Sequence, residues 1–326
     1  MGINPAACAA DPGCVSDADF LGQDFPQFFK YGFAGTNFAG AFASIGQQST
    51  DGNSRYNSLQ VSLNKRMSQG LQFLLSYTYA HSQDNGSGFE SSSFGNRGVN
   101  PLLPGLNWGD SDFDARHRFV ASYQYELPVP HALGSGPVLS RIFKGWRIAG
   151  ITTFQSGFPL NLNDTSETSL TCPGFGVIFY TCWDNPNQVG PLVRMDPRVS
   201  HDAKAGTGVA NCAGTLRSGN FFFDPSAFCH ADPGTFGNTG KNSFHGLGLN
   251  FTNLALMKEI PVREQMRFEL RLETFNTFNH VNFNNSQSTF GSGGSSTNVN
   301  SSFLGRVTSD SNIGPRIVQL AAKFYF

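Results

Sequence analysis

Residues Gln265–Asn276 read QMRFELRLETFN. Met266, Phe268, Leu270 and Leu272 alternate with Arg267, Glu269, Arg271 and Glu273. In an extended chain successive side chains point to opposite faces, so this stretch has one apolar face and one charged face. Helical spacing would scatter the same residues around the axis and leave no apolar stripe. The stretch is predicted as a strand. A one-residue slip would turn all four charges to the apolar side, at roughly 2–4 kcal/mol each if that side were lipid. The register is therefore firmly set, and the apolar face must meet either a protein core or a membrane.

The same period of two recurs on both sides. Leu59, Val61 and Leu63 alternate with Ser58, Gln60, Ser62 and Asn64. A tight turn at Met67–Gly70 leads to Leu71, Phe73, Leu75, Tyr77 and Tyr79, spaced by Gln72, Ser76 and Thr78, which predicts a hairpin. Phe119, Ala121, Tyr123, Tyr125 and Leu127 alternate with Arg118, Ser122, Gln124 and Glu126. Trp146, Ile148, Gly150, Thr152 and Phe154 mark another strand, and Leu254 and Leu256 a further one. At the C-terminus Val318, Leu320, Ala322, Phe324 and Phe326 face one way; Gln319, Ala321, Lys323 and Tyr325 face the other. The pattern is all-β: a meander of about seven or eight long antiparallel strands.

The connections decide between core and membrane. Met67–Gly70, Pro128–Phe143 and Pro261–Glu264 form a shorter set, whereas 82–115, 157–248 and 277–315 are long, and the two sets alternate. A soluble sandwich has no reason to keep every long loop at one end. Transmembrane barrels do, with short periplasmic turns and long external loops. Residues 1–55 are irregular and are expected to form an external segment leading into a barrel portion over 56–326. The longest loop, 157–248, is expected to hold little apolar surface with which to order itself.

Composition agrees with that class. Of 326 residues, 37 are Gly and 32 are Phe, and 14% are charged. A net charge of −1 gives no reason to expect a nucleic-acid partner. No run approaches the 18 or so apolar residues of a membrane helix. MGINPAACAADPGCVSD has neither a basic nor an apolar region and is not expected to act as a signal peptide. The six cysteines, Cys8, Cys14, Cys172, Cys182, Cys212 and Cys229, form no C-x-x-C pair and match no zinc spacing. Local disulfides in an oxidising compartment are the preferred reading, pairing Cys8 with Cys14, Cys172 with Cys182 and Cys212 with Cys229. Each bridge would contribute roughly 2–3 kcal/mol in the chain-entropy model.

Several segments resemble a known family: YNSLQVSLNKRMSQGLQFLLSYTYAHSQD, DFDARHRFVASYQYELP, KGWRIAGITTFQSGFPL, LNFTNLALMKEIPV, FELRLETFNTFNHVNF and PRIVQLAAKFYF. Together they are similar to the C-terminal barrel of TonB-dependent receptor-like outer-membrane proteins, most closely the Oar-like group, over about Tyr56–Phe326. The resemblance implies the outer membrane of a Gram-negative-type cell and an incomplete barrel belonging to a longer parent with a plug. That parent would move a large solute with energy delivered through TonB, which would reach the parent's N-terminal parts. Phe324, Tyr325 and Phe326 look like the terminal signal read by the barrel assembly machinery. The rival reading is a structural or adhesive surface protein anchored by its barrel.

Candidate chemistry is sparse, and no catalytic, cofactor-binding or metal-ligating residue is assigned. DSDFD places Asp110, Asp112 and Asp114 in one loop, but Ala115 and Ala121 stand where a calcium loop needs Gly and Glu. His81, Asp84 and Ser87 have the residue types of a hydrolase triad without a nucleophile elbow. His117 and His280 stand alone. Arg267, Glu269, Arg271, Glu273 and Lys323 are expected to form a polar ladder facing the lumen, each exposed pair adding about 0.2–1 kcal/mol. Trp146, Tyr77, Tyr79, Tyr125 and Phe326 are expected in the aromatic girdles, against lipid.

Overall fold

The computed structural model describes residues 52–87, 104–130, 136–164, 185–205, 215–231, 235, 237–263, 266–283, 297–307 and 313–326. Its main feature is one large antiparallel sheet. In chain order the elements are β1 (Ser54–Ser68), β2 (Leu71–Asp84), β3 (Gly109–Asp110), β4 (His117–Glu126), a helix α1 (Pro137–Phe143) and β5 (Trp146–Gln155). Then come β6 (Pro159–Leu160), β7 (Asn187–Gln188), β8 (His201–Ala205), β9 (Thr215–Gly219), β10 (Phe228–Cys229) and β11 (Phe244–His245). The long strands resume with β12 (Leu249–Pro261), β13 (Arg267–Phe275) and β14 (Ile317–Tyr325).

Seven strands cross the sheet in the order β1-β2-β4-β5-β12-β13-β14, and β3 adds to the end of β2. This is the expected meander. Among the described residues the sheet does not close, and β1 and β14 are its two edges. Register shows why the alternation matters. Leu59 lies opposite Tyr79, Tyr77 opposite Phe119, Tyr125 opposite Ile148, Ile148 opposite Leu256, Leu256 opposite Leu272, and Leu272 opposite Leu320. Paired residues share a face, so one apolar surface runs unbroken across all seven strands. The opposite surface carries Gln60, Gln72, Gln124, Arg147, Glu259, Glu269, Arg271 and Gln319. A small apolar spot interrupts it where Leu74, Ser122 and Ile151 stand side by side.

The turns alternate as the sequence predicts. β1 passes to β2 through Gln69 and Gly70, both at positive φ (53° and 77°), which suits the tight reversal. All three long connections emerge at the other end. The connection from β4 to β5 contains the helix α1.

The long loops are where the structure departs most from expectation. Far from lacking apolar surface, they build a second core from Leu160, Leu162, Phe222, Phe223, Ala227, Phe228, Phe244, Val299 and Leu304. Phe223 is in edge contact with Phe222, Phe228 and Phe244 at centroid distances of 4.7, 5.7 and 5.8 Å. Such geometry suits the ring quadrupoles. Two-residue pairings, β6 with β11 and β7 with β10, tie the segments together, and β8–β9 forms a hairpin beside them. The described residues between 157 and 248, with 297–307, thus form an ordered cap. Cys229, within this core, is disulfide-bonded. The other five cysteines, and with them the three expected pairings, lie outside the described residues.

Candidate functional site: the polar wall and its capped rim

The polar face is built by residues one position out of phase with the apolar ones. In β13, Glu269 is buried while Leu270 and Leu272 stay exposed on the opposite side. Arg271 donates to Glu269 and also reaches Glu273, at 3.4 Å. Arg147, from β5, bridges Glu259 of β12 at 3.1 Å and Glu269 at 3.5 Å. Three of the four charges expected on β13, Glu269, Arg271 and Glu273, are thereby joined to β5 and β12. Lys323 stands opposite Glu269 in register, yet no ion pair joins them among the described residues: two arginines already occupy that carboxylate. Arg267 instead lies over the Tyr325 ring, 4.3 Å from its centroid. Arg147 and Glu259 were missed by the sequence reading. Their signal was their phase, opposite to Trp146 and to Leu256.

At the end bearing the long loops, two charged knots fasten the cap to the sheet. In the first, Lys241 donates to Asp84 and, at 3.0 Å, to Ser87. Ser87 Oγ donates to both Asp84 oxygens, at 2.7 and 2.8 Å. His81 takes no part, because residues 81 and 84 fall on opposite faces of β2. The triad composition therefore does not become a triad. Gly109 permits the close approach: a Cβ there would sit 2.3 Å from the Lys241 carbonyl oxygen.

The second knot centres on Arg116. Its guanidinium pairs with Asp110 at 2.7 Å and Asp114 at 2.5 Å. His81 lies 2.9 Å from Asp110, and His245, from β11 of the cap, lies 3.4 Å from Asp114. Burial pushes the Asp110 carboxyl up, but hydrogen bonds from Arg116 and His81, and the charges of Arg116 and His245, outweigh it and hold its pKa below the usual value. Arg116 is held correspondingly above its own. Ligand atoms of Asp110, Asp114 and His245 lie within 4.8 Å of one another, but the Arg116 guanidinium already supplies the neutralising charge there. Asp112 is drawn aside to Asn242 Nδ2 at 2.7 Å. The DSDFD carboxylates are thus structural fasteners, and Arg116, Lys241 and His245 are the partners that sequence spacing could not reveal.

The outer membrane beta barrel domain model matches residues 6–319. The chain belongs to that family. No curated protein and no solved structure matches it. As an outer membrane beta barrel domain, the chain sets its continuous apolar face against lipid and its polar face toward the interior. The strands cross the outer membrane, although no helix among the described residues is long and apolar enough to do so. Tyr77, Tyr79 and Tyr125 stand on the lipid-facing side in register with its apolar residues, and Trp146 stands on the same side opposite Lys258. His117 joins that side, its Nδ1 2.9 Å from the Tyr77 hydroxyl. His280 serves a turn, its backbone N–H donating to Asn276 Oδ1. Phe326 ends the chain fully exposed, with its ring stacked on Phe324 at 6.2 Å.

Proposed function

We propose that this domain is the C-terminal wall of a TonB-dependent receptor-like transporter that takes a large solute across the outer membrane. The observation that carries the reading is the pairing of an open, strongly charged interior wall with an ordered cap fastened over its outer rim. An open sheet whose two edges await further strands suits a wide barrel. The charged wall, Arg147, Glu259, Glu269, Arg271 and Glu273, offers a solute a polar surface in which two arginines are shared among three carboxylates. The resemblance to Oar-like segments supports the same class. The role is passage rather than chemistry. The exposed Phe324–Phe326 end is proposed as the segment that the barrel assembly machinery engages.

The reading is tested in the native host by in vivo photo-crosslinking of TonB to the product of the full reading frame that contains this chain, with and without the proton-motive force. Energy-dependent crosslinks, together with loss of crosslinking when upstream plug-coding sequence is deleted, are the expected result. An upstream sequence with neither plug nor TonB-contacting segment, and no crosslink, would sink the transporter and leave the adhesive anchor.

A further inference from the structure

The connection from β4 to β5 contains a feature that solute passage does not use. In α1 the residues Val138, Leu139, Ile142 and Phe143 fall within an arc of about 140° at 100° per residue, and Ser140 and Arg141 occupy the other side. The apolar arc is bare: Val138 is 69% and Ile142 51% exposed. A free apolar helix face of this kind in a water-soluble loop would be a liability.

Its position resolves the problem. The Trp146 indole N–H donates to the Ile142 carbonyl at 2.8 Å, and Lys258 donates to the carbonyl of Lys144. Trp146 and Lys258 are opposite each other in register, on the apolar, lipid-facing side of β5 and β12. The C-terminal end of α1 is therefore docked on the outside of the wall, continuous with the surface that meets lipid. Its level is fixed as well. A lysine on the lipid-facing side is far costlier at the bilayer midplane than near the interface. Lys258 stands 5.5 Å over the Trp146 ring, and that pairing of indole and cation belongs at headgroup level. Arg141 and Lys144 are exposed beside it.

We propose that α1 is an interfacial anchor lying in the periplasmic headgroup layer of the outer membrane. Val138, Leu139, Ile142 and Phe143 enter the acyl boundary, and Arg141 and Lys144 meet phospholipid phosphates. The occupant of the bare face is lipid, because the face continues an established lipid surface and its flanking charges are cationic. The inference goes beyond the transport reading and does not depend on it.

The test places the photo-crosslinker p-benzoylphenylalanine at Val138, and separately at cap residue Val189, in the product of the full reading frame that contains this chain, reconstituted into vesicles of phosphatidylethanolamine and phosphatidylglycerol. Folding is checked by heat-dependent gel mobility. Mass spectrometry is expected to find lipid adducts at position 138 and none at 189. The double variant R141S/K144S should lower the share of phosphatidylglycerol among those adducts while lipid labelling persists. A water-quenched crosslinker at 138 in folded protein would overturn the proposal, as would protein adducts replacing lipid adducts when the experiment is repeated in cells. An unchanged phosphatidylglycerol share would overturn the part assigned to Arg141 and Lys144.

Discussion

The wall and the cap are opposite solutions to the same problem. In the wall the largest apolar side chains point away from the protein: Leu320 is 79% exposed and Leu59 60%. In the cap they point inward: Phe221 is fully buried and Phe223 almost so. The wall holds its shape through long ladders, thirteen register pairs between β1 and β2 alone. The cap has pairings of only two to five residues and relies on aromatic contact. One region is stable because its surroundings are oil, the other because it makes its own. The two meet at the rim, where the Lys241–Asp84 and Arg116 knots join them.

The sharpest way to break the contrast is to put a charge on each apolar surface in turn. Leu270→Arg should abolish outer-membrane assembly, since it places a cation on the lipid face, at roughly 2–4 kcal/mol if it lies near the midplane. Glu269→Ala, on the other face of the same strand, should leave assembled protein at a substantial level on heat-modifiable gels. Equal losses from the two would contradict the assignment of faces.

Phe223→Ala should cost the cap about 3–5 kcal/mol by opening a cavity among Phe222, Phe228 and Phe244. The expected readout is new proteolysis within 185–231 in a barrel that still assembles. If assembly fails as completely as in Leu270→Arg, the two regions are not separate cooperative units.

Lys241→Met removes the partner of a buried carboxylate, a change that costs about 3–5 kcal/mol when the remaining charge is left unpaired in the interior. Hydrogen exchange should rise over 237–245 and at the loop end of β2, and far less in β12 and β13. Uniform exchange would deny the knot its role.

Acid should loosen the second knot. The folded pKa of Asp110 lies below its ordinary value of 3.8, so its contribution is fully present above that value. It is lost as pH falls through the depressed one. Cap protection should therefore persist at pH 5 and fall away only below about pH 4; loss between pH 7 and 5 would point to other groups. The smallest effect is expected at Asp196 and Arg198. Arg198 lowers the Asp196 pKa to about 2, but both stand in solvent, and Arg198→Ala should leave cap proteolysis unchanged.

The wall was legible because its signal is local. Alternation in ELRLE is visible within five residues and dictates both faces at once. The cap was not, because Leu160, Phe223, Phe244 and Val299 come from four separate stretches with no shared period. One clue was available in NFFFDPSAF, residues 220–228, where three consecutive phenylalanines in a supposedly polar loop needed somewhere to go. The polar ladder was half legible. Phase showed Glu269 facing inward, but only register could show that Arg147, more than a hundred residues earlier, would reach it. The helix α1 was hidden by the prolines and glycines around it, which read as a plain connection.

The meander also has a handed arithmetic. Seven crossings of alternating direction leave β1 and β14 running the same way through the membrane. Joining those two edges directly would need a parallel seam, in a family of structures whose ladders are antiparallel. Both edges run from the external side toward the periplasm, so a strand laid against either of them must run the opposite way. Whatever completes this wall therefore contributes an odd number of crossings, and the first and last of them must each present lipid with the same alternating face that ELRLE displays.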